Sequence, residues 1–185
     1  MWAVVGLGNP GRRYTETRHN VGFMFIKTLA QDWGIRVKKN AFLSKTAEVT
    51  RASEKIILAM PQTFMNSSGQ AVREIVRGRR LSTERLIVVY DDVDLPLGDI
   101  RVRKDGGPGT HKGMASIVQE IATTLFPRIR VGIGPAADDG DIVRFVLSNF
   151  RKEEKKRLEK SLGKAEEALG LILAGRIEAA MNQFN

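Results

Sequence analysis

The segment Leu86-Ile87-Val88-Val89-Tyr90 constrains this chain most. Five consecutive apolar or β-branched residues leave no polar face, so the strand they predict is buried on both sides and belongs in the middle of a sheet. It runs directly into Asp91-Asp92-Val93-Asp94, which puts acids where a central strand ends. A sheet covered on both faces needs helices, and the pattern supplies them. Residues 2–7 predict a second buried strand ending in a glycine-bearing loop at 8–18. From Val21 the apolar residues Val21, Met24, Phe25, Ile26, Leu29 and Ala30 recur at helical spacing up to Gly34. Segments 45–50 and 55–60 predict a strand pair around an Ala-Ser-Glu turn, with Pro61 stopping the second strand. Asn66 or Ser67 is placed to cap a helix running to about Arg77. Short strands are expected at 99–103 and 129–133, helices at 113–125 and 141–148, and a loop at Gly134-Pro135. Residues 151–174 carry Leu158, Leu162, Ala165, Leu169, Ile172 and Leu173 on one stripe, the mark of an amphipathic helix. Strands alternating with helices predict an α/β fold, a single-domain three-layer sandwich over residues 1–185. Its central sheet is mixed, because of the 45–60 hairpin, and mostly parallel, with flanking helices.

Composition narrows the chemistry. The 185 residues hold 30 Lys and Arg against 21 Asp and Glu, a net charge of +9, which makes a polyanion the first candidate partner. With no cysteine, disulfides, thiolate metal sites and a Cys nucleophile are excluded, so catalysis falls to His, carboxylates, amides and hydroxyls. The opening residues lack the basic leader of a signal peptide, and no stretch approaches the roughly 18 apolar residues of a spanning helix. A cytoplasmic protein without a membrane segment is the expectation.

Gly6-Leu7-Gly8-Asn9-Pro10-Gly11 matches the dinucleotide pattern G-x-G-x-x-G after a strand. In that fold, however, the helix starts at the glycines, and an acid follows about 20 residues on. Here the mostly polar residues 12–20 intervene, so glycines permitting a tight turn explain the pattern better. What the loop presents is Asn9 past a strand end and Arg18-His19-Asn20 before a helix. A lone histidine is usually a surface or core residue, but strand ends in α/β sheets bind ligands, and a neutral imidazole can take a proton from water. A base of that kind needs an orienting carboxylate, and Asp91, Asp92 and Asp94 supply candidates. Alternation along a strand sends Asp91 and Asp92 to opposite faces, so only one of them is expected to face a given pocket. Chelation of Mg²⁺ or Mn²⁺ by D-D-x-D, or plain capping of the turn before Leu95-Pro96, are the other readings. Asn66 is either an N-cap or an amide that holds a peptide group or an oxyanion. Gly106 to Gly113 fits no P-loop frame. It reads as a mobile flap with His111 and Lys112 at its base, or as an ordinary loop.

Together these blocks resemble bacterial peptidyl-tRNA hydrolase along essentially the whole chain. The blocks are Gly6 to Gly11 with Tyr14 and Thr17-Arg18-His19-Asn20-Val21-Gly22, then Pro61-Gln62-Thr63-Phe64-Met65-Asn66-Ser67-Ser68-Gly69. Asp91 to Pro96 follow, and last the flap with Arg130-Val131-Gly132-Ile133-Gly134. The resemblance implies hydrolysis of the ester between peptide and tRNA, recycling tRNA from stalled translation, with no metal or organic cofactor. It implies that His19 activates water and that Asp91 fixes its tautomer. It further implies that Asn9, Tyr14, Phe64, Met65, Asn66, His111 and Lys112 contact substrate and that Arg103 and Arg130 hold a tRNA phosphate. Peptidyl-tRNA, met at its acceptor stem and 3′-end, is the expected partner of a monomer.

One position departs from the family pattern. Lys112 stands where Asn is common, and a lysine cannot accept a hydrogen bond. Its ammonium is expected to meet an RNA phosphate or the substrate carbonyl. Two rival functions remain, a metal-dependent nuclease or phosphoesterase built on Asp91, Asp92 and Asp94, and a noncatalytic tRNA-binding protein. The basic run Arg151 to Lys160, with six bases and three acids, is expected to be mostly a solvated helix face, with tRNA contact as an alternative.

Overall fold

The computed structural model describes residues 1–51, 53–134 and 141–185. Its strands are β1 (Trp2–Gly6), β2 (Lys39–Ala41), β3 (Ser44–Arg51), β4 (Glu54–Pro61), β5 (Leu86–Pro96), β6 (Ile100–Arg103) and β7 (Arg128–Gly134). Its helices are α1 (Val21–Asp32), α2 (Ser68–Gly78), α3 (Lys112–Ile121), α4 (Ile142–Val146), α5 (Lys155–Leu173) and α6 (Ile177–Phe184). The strands form one sheet in the order β2-β3-β4-β1-β5-β7-β6. The central pairings β4-β1, β1-β5 and β5-β7 are parallel, and the outer pairings are antiparallel. The sheet is therefore mixed, with a parallel centre. Ala52 and Pro135, expected in turns, lie outside the described residues.

Side-chain alternation divides the core into two layers. Trp2, Val4, Ile87, Val89, Ile129 and Val131 pack against α1 and α5, whereas Ala3, Val5, Leu86, Val88 and Tyr90 pack against α2 and α3. All five residues of the 86–90 run are buried, as a strand covered on both faces requires. Two glycines that flank the first loop, Gly6 at the end of β1 and Gly22 in α1, serve this packing. A Cβ on Gly22 would lie 2.4 Å from the Leu7 nitrogen and the Val89 oxygen, and one on Gly6 would lie 2.1 Å from the Gly22 oxygen. Gly6 and Gly22 thus let α1 sit directly on β1 and β5, which is the task those glycines perform in place of cradling a pyrophosphate.

Several elements differ from the sequence expectation. β5 continues through the acids to Pro96, because Asp91 and Asp92 pair with Val131 and Gly132 of β7. β2 and α6 were not anticipated. α3 ends at Ile121, where Ala122 turns left-handed at φ 53°. Ser67 is the N-cap of α2 but contributes no side-chain bond, and Asn66 lies in the preceding 3-10 turn, so neither acts as the capping side chain.

Candidate active site

Parallel β1, β5 and β7 point their C-terminal ends to one edge of the sheet. The chain leaves β1 for β4 on one side and later returns as β5 on the other, a switch point of the kind that opens a crevice. A cavity of about 550 Å³ lies there. Its wall includes Asn9, His19, Phe64, Met65, Asn66, Asp91, Arg103, His111, Lys112 and Arg130 from the sequence-derived set. Tyr14 is the exception. It sits in the 3-10 turn Arg12–Tyr14 under the Arg13 guanidinium, 4.6 Å away, and does not line the cavity.

His19 is held in a 3-10 turn (Arg18–Asn20) at the entrance to α1. Its Nδ1 lies 2.8 and 2.9 Å from the two Asp91 carboxylate oxygens, and the Asp91 side chain is 2 % exposed. A buried carboxylate facing Nδ1 makes that nitrogen the donor, which leaves the Nε2 lone pair free. The same Asp91 Oδ1 lies 3.0 Å from His111 Nε2. His111 is itself the N-cap of α3, and its Nδ1 accepts the Met114 backbone N–H at 3.2 Å. A backbone N–H can only donate, so the His111 proton must sit on Nε2 and point at Asp91. Both ring nitrogens of His111 are thus engaged within the protein, and the ring has no spare polar edge for a substrate.

Burial alone would push the Asp91 carboxyl up. The His111 and His19 imidazoles override this and hold it well below the usual carboxylate range. His19, Asp91 and His111 also bring three potential metal-ligand atoms within 4.8 Å of one another. The proton that Met114 imposes on His111 Nε2 occupies the position a metal would need, so this donor set favours a hydrogen-bonded triad. Asp92 and Asp94 do not join the trio.

Contrary to the alternation argument, Asp91 and Asp92 both line the cavity, which wraps around the strand instead of lying on one face. Their partners still separate them. Asp92 Oδ2 lies 2.6 Å from Arg130 Nε, a charge contact without hydrogen-bond alignment, and its Oδ1 accepts the Asp94 N–H at 3.0 Å. Arg130 belongs to a larger basic feature. On the antiparallel β6-β7 pair Arg101 faces Arg130 and Arg103 faces Arg128, four guanidinium groups in two cross-strand pairs. Arg128, 1 % exposed, spends its donors on the carbonyls of Gly107, Thr124 and Phe126.

The amides are positioned by backbone groups. Asn9 Oδ1 accepts the Met65 N–H at 2.8 Å, which ties the β1 loop to the β4–α2 loop and leaves Nδ2 a donor without a partner among the described residues. Asn20, buried, holds the Asn9 main chain by two bonds of 2.9 Å. Asn66, Phe64 and Lys112 are exposed at the cavity wall. The sequence reading placed Arg18 and Asn20 beside His19 but gave neither a role. The Arg18 guanidinium is buried between the Phe145 and Phe150 rings and bonded to Glu154 at 2.7 and 2.9 Å. A polar triplet before an apolar helix was the available signal, but a partner 136 residues away has no local signature. Val143, Val146 and Leu147 of the α4 region complete the wall with apolar surface. The arrangement sets an imidazole with an oriented Nδ1 beside amide donors and guanidinium groups, chemistry that suits an anionic ligand.

A family model described as peptidyl-tRNA hydrolase matches residues 3–185. The peptidyl-tRNA hydrolases of Thermoanaerobacter sp. (strain X514) and Caldanaerobacter subterraneus subsp. tengcongensis are 48% and 47% identical over 185 residues, with 100% of each chain covered. A crystal structure of peptidyl-tRNA hydrolase from Acinetobacter baumannii superimposes with a TM-score of 0.92 at 33% identity, covering 99% of this chain and 93% of that one.

Proposed function

Because the chain belongs to the peptidyl-tRNA hydrolase family, we propose that it cleaves the ester between peptide and tRNA by water activated at His19. The observation that carries the mechanism is the 2.8 Å contact of His19 Nδ1 with buried Asp91, which leaves Nε2 as the base inside the cavity. Nε2 takes a proton from water as its oxygen attacks the ester carbonyl. The resulting imidazolium is stabilised by the Asp91 carboxylate, which accepts its Nδ1–H. Collapse of the tetrahedral intermediate breaks the bond to the ribose oxygen, and that oxygen takes the proton back from Nε2. The products are the peptide acid and tRNA with a free hydroxyl.

Asn66, exposed at the cavity wall with no bond to another described residue, donates its amide to the developing oxyanion. Asn9 offers Nδ2 to the peptide or the terminal nucleotide. Arg103 and Arg130 hold a phosphate, Arg130 through the terminal nitrogens that Asp92 leaves free. Lys112 binds a phosphate or the substrate carbonyl. His111 acts through Asp91, as a second donor that fixes the carboxylate.

The test is hydrolysis of N-acetylaminoacyl-tRNA against free aminoacyl-tRNA, with His19→Ala alongside. Cleavage of the acylated substrate alone is expected, with the variant retaining tRNA binding and losing turnover. A fully active His19→Ala protein would remove the proposed base. Complete loss of activity in EDTA would favour a metal-dependent reaction instead.

A further inference from the structure

A cavity of about 550 Å³ has the size of a small-ligand site, so most of a tRNA must lie outside it. Two chain segments lead from its wall onto the surface. One runs from Asn9 through the turn Arg12–Tyr14 to His19, and the other from α4 through residues 148–151 into α5. They are joined as a seam. Thr17 bridges Asn149, the Arg18 N–H donates to the Ser148 carbonyl at 2.9 Å, and the Phe150 N–H donates to the Glu16 carbonyl at 3.4 Å. Arg18 and Glu154 lock the seam from beneath.

Arg12, Arg13, Arg151, Lys152, Lys155 and Lys156 are all exposed along it, and the exposed acids between them are Glu16 and Glu153. Lys155 reaches Glu16 at 3.8 Å. Among the described residues no carboxylate lies within 4.0 Å of the other five cations. Unpaired like charges gathered on one surface repel one another and carry no folding benefit, so the cluster calls for an external anion. It is distinct from Arg103, Arg128 and Arg130 of β6 and β7, which line the cavity itself.

We propose that this seam is a second tRNA-binding surface, one that holds the phosphate backbone of the RNA body while the 3′-end occupies the cavity. The inference rests on the peptidyl-tRNA hydrolase reading. A ladder of phosphates suits separated cations that ignore base identity. An anionic lipid surface suits them less, because membrane-surface segments add apolar or aromatic side chains that enter the bilayer. Here Tyr14 is half-buried beneath Arg13 and Phe150 is buried against Arg18, while the exposed Val143 and Leu147 belong to the cavity wall, which leaves Ile142 as the exposed large apolar side chain of α4 outside it.

The experiment compares the full chain with a variant carrying Arg12→Gln, Arg13→Gln, Lys152→Gln and Lys156→Gln. kcat/KM is measured from 50 to 200 mM KCl on two substrates, N-acetylaminoacyl-tRNA and an N-acetylaminoacyl ester of a short CCA oligonucleotide. If all four side chains meet phosphates, the log–log salt slope on tRNA becomes shallower by about 3, so the variant escapes a roughly 60-fold fall across that range. Its rate on the short ester stays that of the parent. A charge-preserving variant, with Arg12→Lys, Arg13→Lys, Lys152→Arg and Lys156→Arg, keeps the parental slope on tRNA. An unchanged slope in the glutamine variant overturns the proposal, and so does an equal change on the short ester. Loss of binding to phosphatidylserine vesicles with an unchanged tRNA slope also overturns it, and assigns the seam to a membrane surface. Failure of the parent chain to cleave either substrate refutes the underlying enzymatic reading instead.

Discussion

Asp91→Asn tests the proposed mechanism at its most constrained atom pair. Asparagine has nearly the same shape, so the variant keeps an oxygen able to accept one imidazole N–H but loses the charge and gains a donor. In the parent, Asp91 Oδ1 receives both the His19 Nδ1–H at 2.8 Å and the His111 Nε2–H at 3.0 Å, while Oδ2 faces His19 at 2.9 Å. His111 cannot give up its Nε2 proton, because Met114 donates to the other nitrogen. The amide oxygen of the substituted side chain must therefore stay at the shared position, and its NH₂ is forced against His19 Nδ1. That contact disfavours the tautomer with a free Nε2. A charge-assisted bond to a buried group contributes about 1.5–3 kcal/mol, or one to two decades of rate once the imidazolium forms. Loss of the correct tautomer adds a comparable factor, so kcat should fall by about 10²- to 10⁴-fold. The assay is single-turnover hydrolysis of N-acetylaminoacyl-tRNA from pH 5 to 9. A variant within about tenfold of the parent would refute the pairing of Asp91 with the base.

Asn66→Asp places a negative charge where the oxyanion develops, and kcat should fall by about 10²- to 10³-fold with KM little changed, as read by steady-state kinetics. Glu154→Gln strips the counter-charge from buried Arg18. The carboxylate is partly solvated, so the expected loss is about 2 kcal/mol, a melting temperature lower by about 4–8 °C in differential scanning calorimetry. Asp91 has a native carboxyl held below the unfolded range, so its stabilising contribution is present above the unfolded value of about 3.9 and lost as pH falls through the native one. Urea unfolding of the parent and of Asp91→Asn should accordingly give a stability difference that is constant above about pH 5 and drifts in the variant's favour at lower pH.

The core was legible because it is written in uninterrupted apolar runs. Residues 2–6 and 86–90 and the stripes of α1 and α5 need no partner to be recognised. Most of the cavity wall was legible too, since strand ends and glycine-bearing loops mark where ligands meet an α/β sheet. What escaped depends on contacts between distant segments. The extension of β5 to Pro96 exists only because β7 pairs with it, and α6 is eight residues whose folding partners are α5 and the edge strand β6. The engagement of His111 required knowing that it caps α3 next to Asp91, and the burial of Arg18 required Glu154 and two phenylalanines from the far end of the chain. Tyr14 shows the converse case, a residue with the right neighbours in sequence that lies outside the cavity wall, beneath Arg13. Asp91 and Asp92 show a third, because alternation predicts faces of a strand and says nothing of a crevice that wraps around its end.

The cross-strand pairs Arg101–Arg130 and Arg103–Arg128 give salt two opposing effects on this protein. Like charges directly opposite on a sheet oppose folding, and mobile counterions shield them over about 10 Å at 0.1 M. Added salt should therefore tighten the β6 edge of the free protein while loosening the phosphate contacts proposed for Arg103 and Arg130. Phosphates held there as proposed would neutralise part of the same ladder, so a bound nucleic acid would add cohesion that this edge lacks alone.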